Sequence, residues 1–226
     1  LNRGTFSTCF IFAVFTFILI YFLKVELGVL YATLAGLVAG IVIGLVADYF
    51  TSIDRAPVKR IAEAAKTGAS INILTGFSYG IISVVPPVIG ICVATIAAWY
   101  FAGIYGIAIS AVGMLSIVGM IISADAYGPI VDNAKGIAEQ SELGEEVIEV
   151  ADRLDAAGNT AKAITKGFAI GAAALTVLAL FAAYAELVGI ESINLMNPYI
   201  IVGIFLGAIM PPLISALLIL SVGKNA

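Results

Sequence analysis

The chain has no histidine, only two cysteines and one tryptophan, and just 12% of its 226 residues are charged. Without histidine, the commonest proton shuttle and the commonest transition-metal ligand are both missing. Acid–base or metal chemistry must therefore fall to carboxylates, amides and lysines, a donor set suited to hard divalent cations. Cys9 and Cys92 lie inside apolar runs, so they read as small buried side chains and not as a disulfide framework. No Gly-x-x-x-x-Gly-Lys-Ser/Thr run is present, so a nucleotide-binding P-loop is not supported. The net charge of −4 is no clue to a basic or acidic partner surface in so apolar a chain, and no nucleic-acid partner is expected.

What the chain does have is hydrocarbon. Hydrophobic residues make up 62% and the mean hydropathy is +1.11, beyond the range of an ordinary soluble domain. Long apolar runs split by short polar stretches predict an all-α integral membrane protein, a polytopic helical bundle in the lipid bilayer. The runs place about six transmembrane helices in one bundle segment covering 1–226, at about 6–23, 27–50, 73–101, 104–137, 145–188 and 199–222. Polar loops are expected over about 52–72 and 138–150. Loop charge sets the orientation. Arg3, Arg55, Lys59, Arg60, Lys66, Lys135, Arg153 and Lys224 fall on one side and only Lys24 on the other, so the first group should be cytoplasmic. Leu1 in place of Met, and an end just after an apolar run, lead us to expect a segment of a longer polypeptide.

In so apolar a chain, charges near the membrane need a reason, because they usually mark an ion or substrate path. Asp152, Asp155, Asn159, Lys162 and Lys166 step by three, four, three and four, which puts them on one helical face. From Asp155 to Lys166 this stripe spans roughly 16 Å of axis. On the preceding helix Asp125 and Asp132 lie seven apart, about two turns along one face. Between them Gly128-Pro129 should weaken or kink the helix. Glu139, Glu142, Glu145, Glu146 and Glu149 read as a solvated face.

A ligand that needs both carboxylates and lysines is a metal-bridged phosphate. Oxygen side chains hold Mg²⁺, the metal holds phosphate oxygens, and lysine meets the phosphate as a point charge. A structural polar seam or a simple ion path would produce similar stripes, and both stay open on pattern alone.

The motifs are more specific. Asp125-Ala-Tyr-Gly-Pro-Ile-Val-Asp-Asn133 with Gly136-Ile-Ala-Glu139, and Leu154-Asp-Ala-Ala-Gly-Asn-Thr160 with Lys166-Gly-Phe-Ala-Ile-Gly171, resemble the membrane-bound pyrophosphatases, ion pumps driven by pyrophosphate hydrolysis. Gly36-Leu-Val-Ala-Gly40, Tyr49-Phe-Thr-Ser52 and Pro57-Val-Lys-Arg60 extend the similarity over most of the chain. The resemblance implies a homodimer in a prokaryotic cell membrane, with Mg²⁺ as cofactor, pyrophosphate and protons as substrates, and a cytoplasmic active site. It implies that Asp132 and Asn159 bind Mg²⁺, that Lys166 contacts pyrophosphate, and that Asp125 and Asp132 belong to the catalytic motif. Lys162, with Thr165, matches the K⁺-independent, proton-pumping class, in which a tethered ammonium takes the place of a monovalent cation. Asp48 stands where the family usually has Glu, and the resemblance implies a role near the ion path.

Two departures matter. Lys135 replaces a family Gly and adds a cation beside a metal ligand, which should loosen Mg²⁺ binding. The family's other acidic and lysine motifs are absent, so these residues need the remaining segments of the same polypeptide, and the segment alone is expected to be inactive. The competing reading is a secondary transporter or channel fragment without hydrolytic activity.

Overall fold

Backbone polar groups in hydrocarbon must be paired within the segment, so apolar runs of this length fold as helices. The computed structural model, which describes residues 2–225, contains α1 (Asn2–Leu23), α2 (Leu27–Thr51), α3 (Ala56–Ala65), α4 (Ala69–Leu115), α5 (Val118–Gln140), α6 (Glu145–Val188) and α7 (Pro198–Asn225). Among the described residues there is no strand. Two compact units divide the chain. The first runs to Phe181 and the second, from Ala182, holds the end of α6 and α7.

Among the described residues, five helical stretches are long and apolar enough to cross a bilayer: Arg3–Leu23, Leu27–Ala65, Ala69–Leu115, Glu145–Val188 and Pro198–Lys224. α4 counts once here but has two arms. At Ala102 (φ −149°, ψ 23°) and Gly103 (φ 59°, ψ −148°) its backbone leaves the helical region and the chain reverses, at a position where the left-handed φ suits glycine. The helix expected over 104–137 is also divided. The second arm of α4 ends at Leu115, Ser116 closes back on the Gly113 carbonyl, and Ile117 (φ −102°, ψ 9°) turns the chain into α5. Counting the arms apart and joining the second to α5 gives six passes. The stretch read as a loop over 52–72 contains α3. Pro57 opens it, a position where the missing N–H costs nothing, and Arg60 Nη1 donates to Tyr79 Oη at 2.9 Å. The loop expected over 138–150 shrinks to a turn, because α5 runs to Gln140 and α6 begins at Glu145.

Helices in lipid gain no hydrophobic drive by meeting one another, so close contact comes through small residues. α2 shows this along Gly28, Ala32, Gly36, Gly40 and Gly44, each four apart. Its neighbours use the space where side chains would be. A Cβ on Gly28 would strike the Phe101 carbonyl, and one on Gly36 the Ser110 carbonyl. Thr33 in turn lies against Gly113 of the second arm of α4. Further along, the Phe168 ring of α6 fills the slot, at 2.8 Å from the positions a Cβ would take on both Gly40 and Gly44. Buried around these contacts are Ile43, Met114, Ile121 and Leu175. Outward the first unit presents Phe22 (76% exposed) and Tyr100 (79% exposed), as a lipid-facing surface does.

Gly36→Ala should cost about 1–3 kcal/mol by forcing α2 off α4. Gly80→Ala, where an added Cβ meets nothing within 4 Å, should be neutral or stabilising by about 0.5–1 kcal/mol. Melting midpoints in detergent separate the two, and equal midpoints would contradict the packing.

Candidate functional site

Residues 121, 125, 128, 132 and 135 of α5 step by four, three, four and three, so they form one stripe. α6 runs antiparallel beside that stripe, joined to α5 by a turn in which Glu142 (φ 50°) and Gly144 (φ 94°) take left-handed backbone. The helices touch most closely where neither has a side chain: a Cβ on Gly158 would lie 2.9 Å from Gly128 Cα and 2.7 Å from Val131 Cγ2. On one side of this crossing Thr165 Oγ1 donates to the Ile121 carbonyl at 3.3 Å, sharing its proton with the Ala161 carbonyl at 3.0 Å. On the other side the polar residues meet.

There the side chains form a chain of contacts. Asn159 Nδ2 donates to Asp155 Oδ1 at 3.1 Å, which leaves Asn159 Oδ1 to accept from Lys162 Nζ at 3.3 Å. The same ammonium lies 3.6 Å from Asp132 Oδ2 on α5. Nearer the turn, Lys135 Nζ sits 2.7 Å from Asp152 Oδ1, 3.8 Å from Glu139 Oε1 and 3.9 Å from Asp155 Oδ2. Two cations thus alternate with four carboxylates and an amide over the last turns of the hairpin. Pro129 sits inside α5 without ending it, so the weakening expected at Gly128-Pro129 does not interrupt the helix.

The structure brings together Asp132, Asn159 and Lys162 from the residues the motifs single out. Asp125, half-buried, shares the α6-facing stripe between Ile121 and Gly128. Thr165 fastens the hairpin from the apolar side. Lys166 stands further along α6 and lines a different space, an apolar groove of about 360 Å³ with Ala47, Thr51, Ser83, Pro87 and Gly167. Asp48 is elsewhere again, in a cleft of about 500 Å³ with Ser52, Asp54, Arg153 and Thr160. So the five-residue stripe read on α6 is divided in use: its members at 152, 155, 159 and 162 converge with α5, while Lys166 borders α2 and α4. Gly128 and Gly158 carried no chemistry in the sequence reading, and only their spacing to the polar positions hinted at a crossing.

Lys135 is also recast. Hydrogen bonding to Asp152 holds its ammonium above its ordinary 10.5, against some desolvation, with added attraction from Asp152, Glu139 and Asp155. A lysine raised in this way stabilises the fold fully below 10.5 and loses that contribution as pH climbs through the folded value. The difference in melting midpoint between the wild type and Lys135→Met should therefore be largest near neutral pH and vanish in strong alkali. A difference that grows with pH would contradict this tie.

Known proteins are similar to this chain in sequence. The family described as inorganic H⁺ pyrophosphatase matches residues 1–226. The chain is 43% identical over 234 residues to a putative K⁺-stimulated pyrophosphate-energized sodium pump of Clostridium tetani, covering 100% of this chain and 35% of that protein. It is 45% identical over 206 residues to a K⁺-insensitive pyrophosphate-energized proton pump of Methanosarcina mazei, covering 87% of this chain and 31% of that protein. A K⁺-insensitive proton pump of Caldanaerobacter subterraneus is 42% identical over 214 residues, 86% of this chain and 30% of its own. The chain spans about a third of the length of these relatives. It belongs to the inorganic H⁺ pyrophosphatase family.

Proposed function

We propose that this chain supplies part of the hydrolytic site of a pyrophosphate-energised proton pump of the K⁺-independent class. The pump acts as a homodimer, with its site facing the cytoplasm of a prokaryotic cell. The names of the relatives divide between K⁺-insensitive proton pumps and K⁺-stimulated sodium pumps, so the subclass rests on this chain's own residues. The observation that carries it is the Lys162 ammonium, 3.3 Å from Asn159 Oδ1 and 3.6 Å from Asp132 Oδ2. A tethered cation among these oxygens meets the need a free K⁺ would otherwise meet.

Pyrophosphate carries several negative charges and would be repelled by Asp125, Asp132 and Asp155. A hard divalent cation removes the conflict. The side-chain acceptors that converge here are oxygens, and two of them already accept a cation, which fits Mg²⁺. No group of three or more His, Cys, Asp or Glu side chains is arranged for a metal among the described residues. Asp132 and Asn159 would therefore be two ligands of a larger set, completed by substrate oxygens, water and other segments of the polypeptide. Bound Mg²⁺ would withdraw charge from the phosphate oxygens.

The remaining work falls to the chain's own groups. Asp155 orients the Asn159 amide so that its oxygen, not its nitrogen, faces the site. Lys162 supplies positive charge where the substrate's charge gathers, and Lys166 offers a second ammonium one turn further along α6. Water attacks one phosphorus, the bridging P–O bond breaks, and two phosphates leave. Asp125, inward on the same stripe of α5, is positioned to feel the change in charge. The free energy released moves these helices and gates the proton path.

In the complete protein, Lys162→Ala should create a K⁺ requirement for phosphate release from Mg-pyrophosphate. A wild type that already requires K⁺ would refute the subclass. Lys166→Ala should lower turnover by about 100-fold or more, as the loss of a charge-stabilising donor does. Wild-type rates in that variant would remove Lys166 from the substrate site.

A further inference from the structure

We propose that Gly128 is the residue that seats Lys162, and that the need for an external monovalent cation is set by position 128 as well as by position 162. This rests on the reading of Lys162 given above and extends it to a residue on a different helix. Gly128 is buried on the α6-facing stripe of α5. The three atoms nearest to a Cβ built there all belong to Lys162: Cε closest, Cγ at 2.9 Å and Cδ at 3.0 Å. The lysine stem therefore lies flat across the glycine, in space that any other residue would fill.

Geometry explains why the stem takes that course. Lys162 leaves α6 one turn beyond Gly158, at the closest approach of the two helices. Its ammonium ends beside Asp132, one turn along α5 from Gly128. A side chain that starts at the crossing and finishes on the partner helix must pass over the residue between them. The burial pattern agrees: the Lys162 side chain is 24% exposed and the Asp132 side chain it reaches is 61% exposed. The lysine is thus mostly covered, and the carboxylate it reaches is open.

A methyl group at position 128 would displace the lysine and leave the backbones in place. What it meets first is the Lys162 stem, Cγ, Cδ and Cε, a flexible side chain that lies nearer to that methyl than any backbone atom does. The Lys162 stem would lift out of the slot and carry its ammonium away from Asn159 and Asp132. Gly128 is thus a positioning residue: it touches no substrate, and it acts through Lys162.

The test uses the complete protein in its membrane. Mg-pyrophosphate hydrolysis is measured with and without K⁺ for the wild type, Gly128→Ala, Lys162→Ala and the double variant. The wild type should be indifferent to K⁺. Lys162→Ala and Gly128→Ala should each be stimulated by K⁺, by about tenfold for loss of one charge-assisted contact. The double variant should match Lys162→Ala, because with no stem to displace the added methyl does nothing further. If Lys162→Ala shows no stimulation, the reading of Lys162 fails, whatever Gly128→Ala does. If Lys162→Ala is stimulated while Gly128→Ala stays indifferent to K⁺, the seating of Lys162 by Gly128 is overturned. Should Gly128→Ala be slow in both conditions, recovery in the double variant supports the clash with the lysine. Continued loss there would mean that the glycine is needed only for helix packing, and would overturn the proposal.

Discussion

The close approach of α5 and α6 at Gly128 and Gly158 is the constraint on which the polar end depends. Two helices bearing Asp132, Lys135, Asp152, Asp155 and Lys162 would otherwise stand a full side chain apart and solvate their charges separately. Removing both Cβ atoms at one level lets the axes close. The side chains on the next turns then have to interdigitate, cation against carboxylate. The Thr165 hydroxyl on the Ile121 carbonyl at 3.3 Å fixes rotation and register from the apolar side. The site thus follows from backbone proximity, and the charges fill a geometry that glycine makes possible.

The same device recurs through the first unit. Gly28 and Gly36 of α2 set its backbone against α4, and Gly40 and Gly44 receive the Phe168 ring of α6. Phe168 lies six residues beyond Lys162 on one helix, so the packing that holds α6 against α2 also holds the lysine in place. In lipid this arrangement has a clear cause. Contact area and shape, and not expulsion of apolar surface from water, hold helices together, and small residues give the most contact. A rigid apolar end supporting a charged end can transmit a change in the second to the first.

Much of this was legible in the residues. Apolar run length predicted helices, and the fold class followed from composition alone. The spacing of Asp155, Asn159 and Lys162 put them on one face, and their motif context pointed to Asp132 as the partner on the other helix. Less visible were features set by backbone shape. Nothing in Ser116-Ile117 announces a break, since neither residue is a strong helix breaker and the interruption depends on tertiary packing. α3 escaped notice because ten residues with three charges look like a loop until Pro57 and the Tyr79 contact are seen. Lys166 shares the helical stripe by periodicity, but its space is set by α2 and α4, whose positions no spacing within α6 can supply. Lys135 looked like a disturbance beside a metal ligand. In the structure it is a tie, bonded to Asp152 at 2.7 Å, and its distance from Asp132 along the stripe lets both roles coexist.

The central claim is that a metal-bound diphosphate lodges where α5 and α6 are drawn together. The most direct measurement is the structure of the intact protein with Mg²⁺ and a diphosphate analogue that cannot be cleaved. The account predicts metal density on the oxygens of Asp132 and Asn159, with the analogue within reach of the Lys162 and Lys166 ammonium groups. Analogue bound in the Asp48 cleft or at the opposite end of the bundle, with the α5–α6 hairpin unliganded, would contradict it.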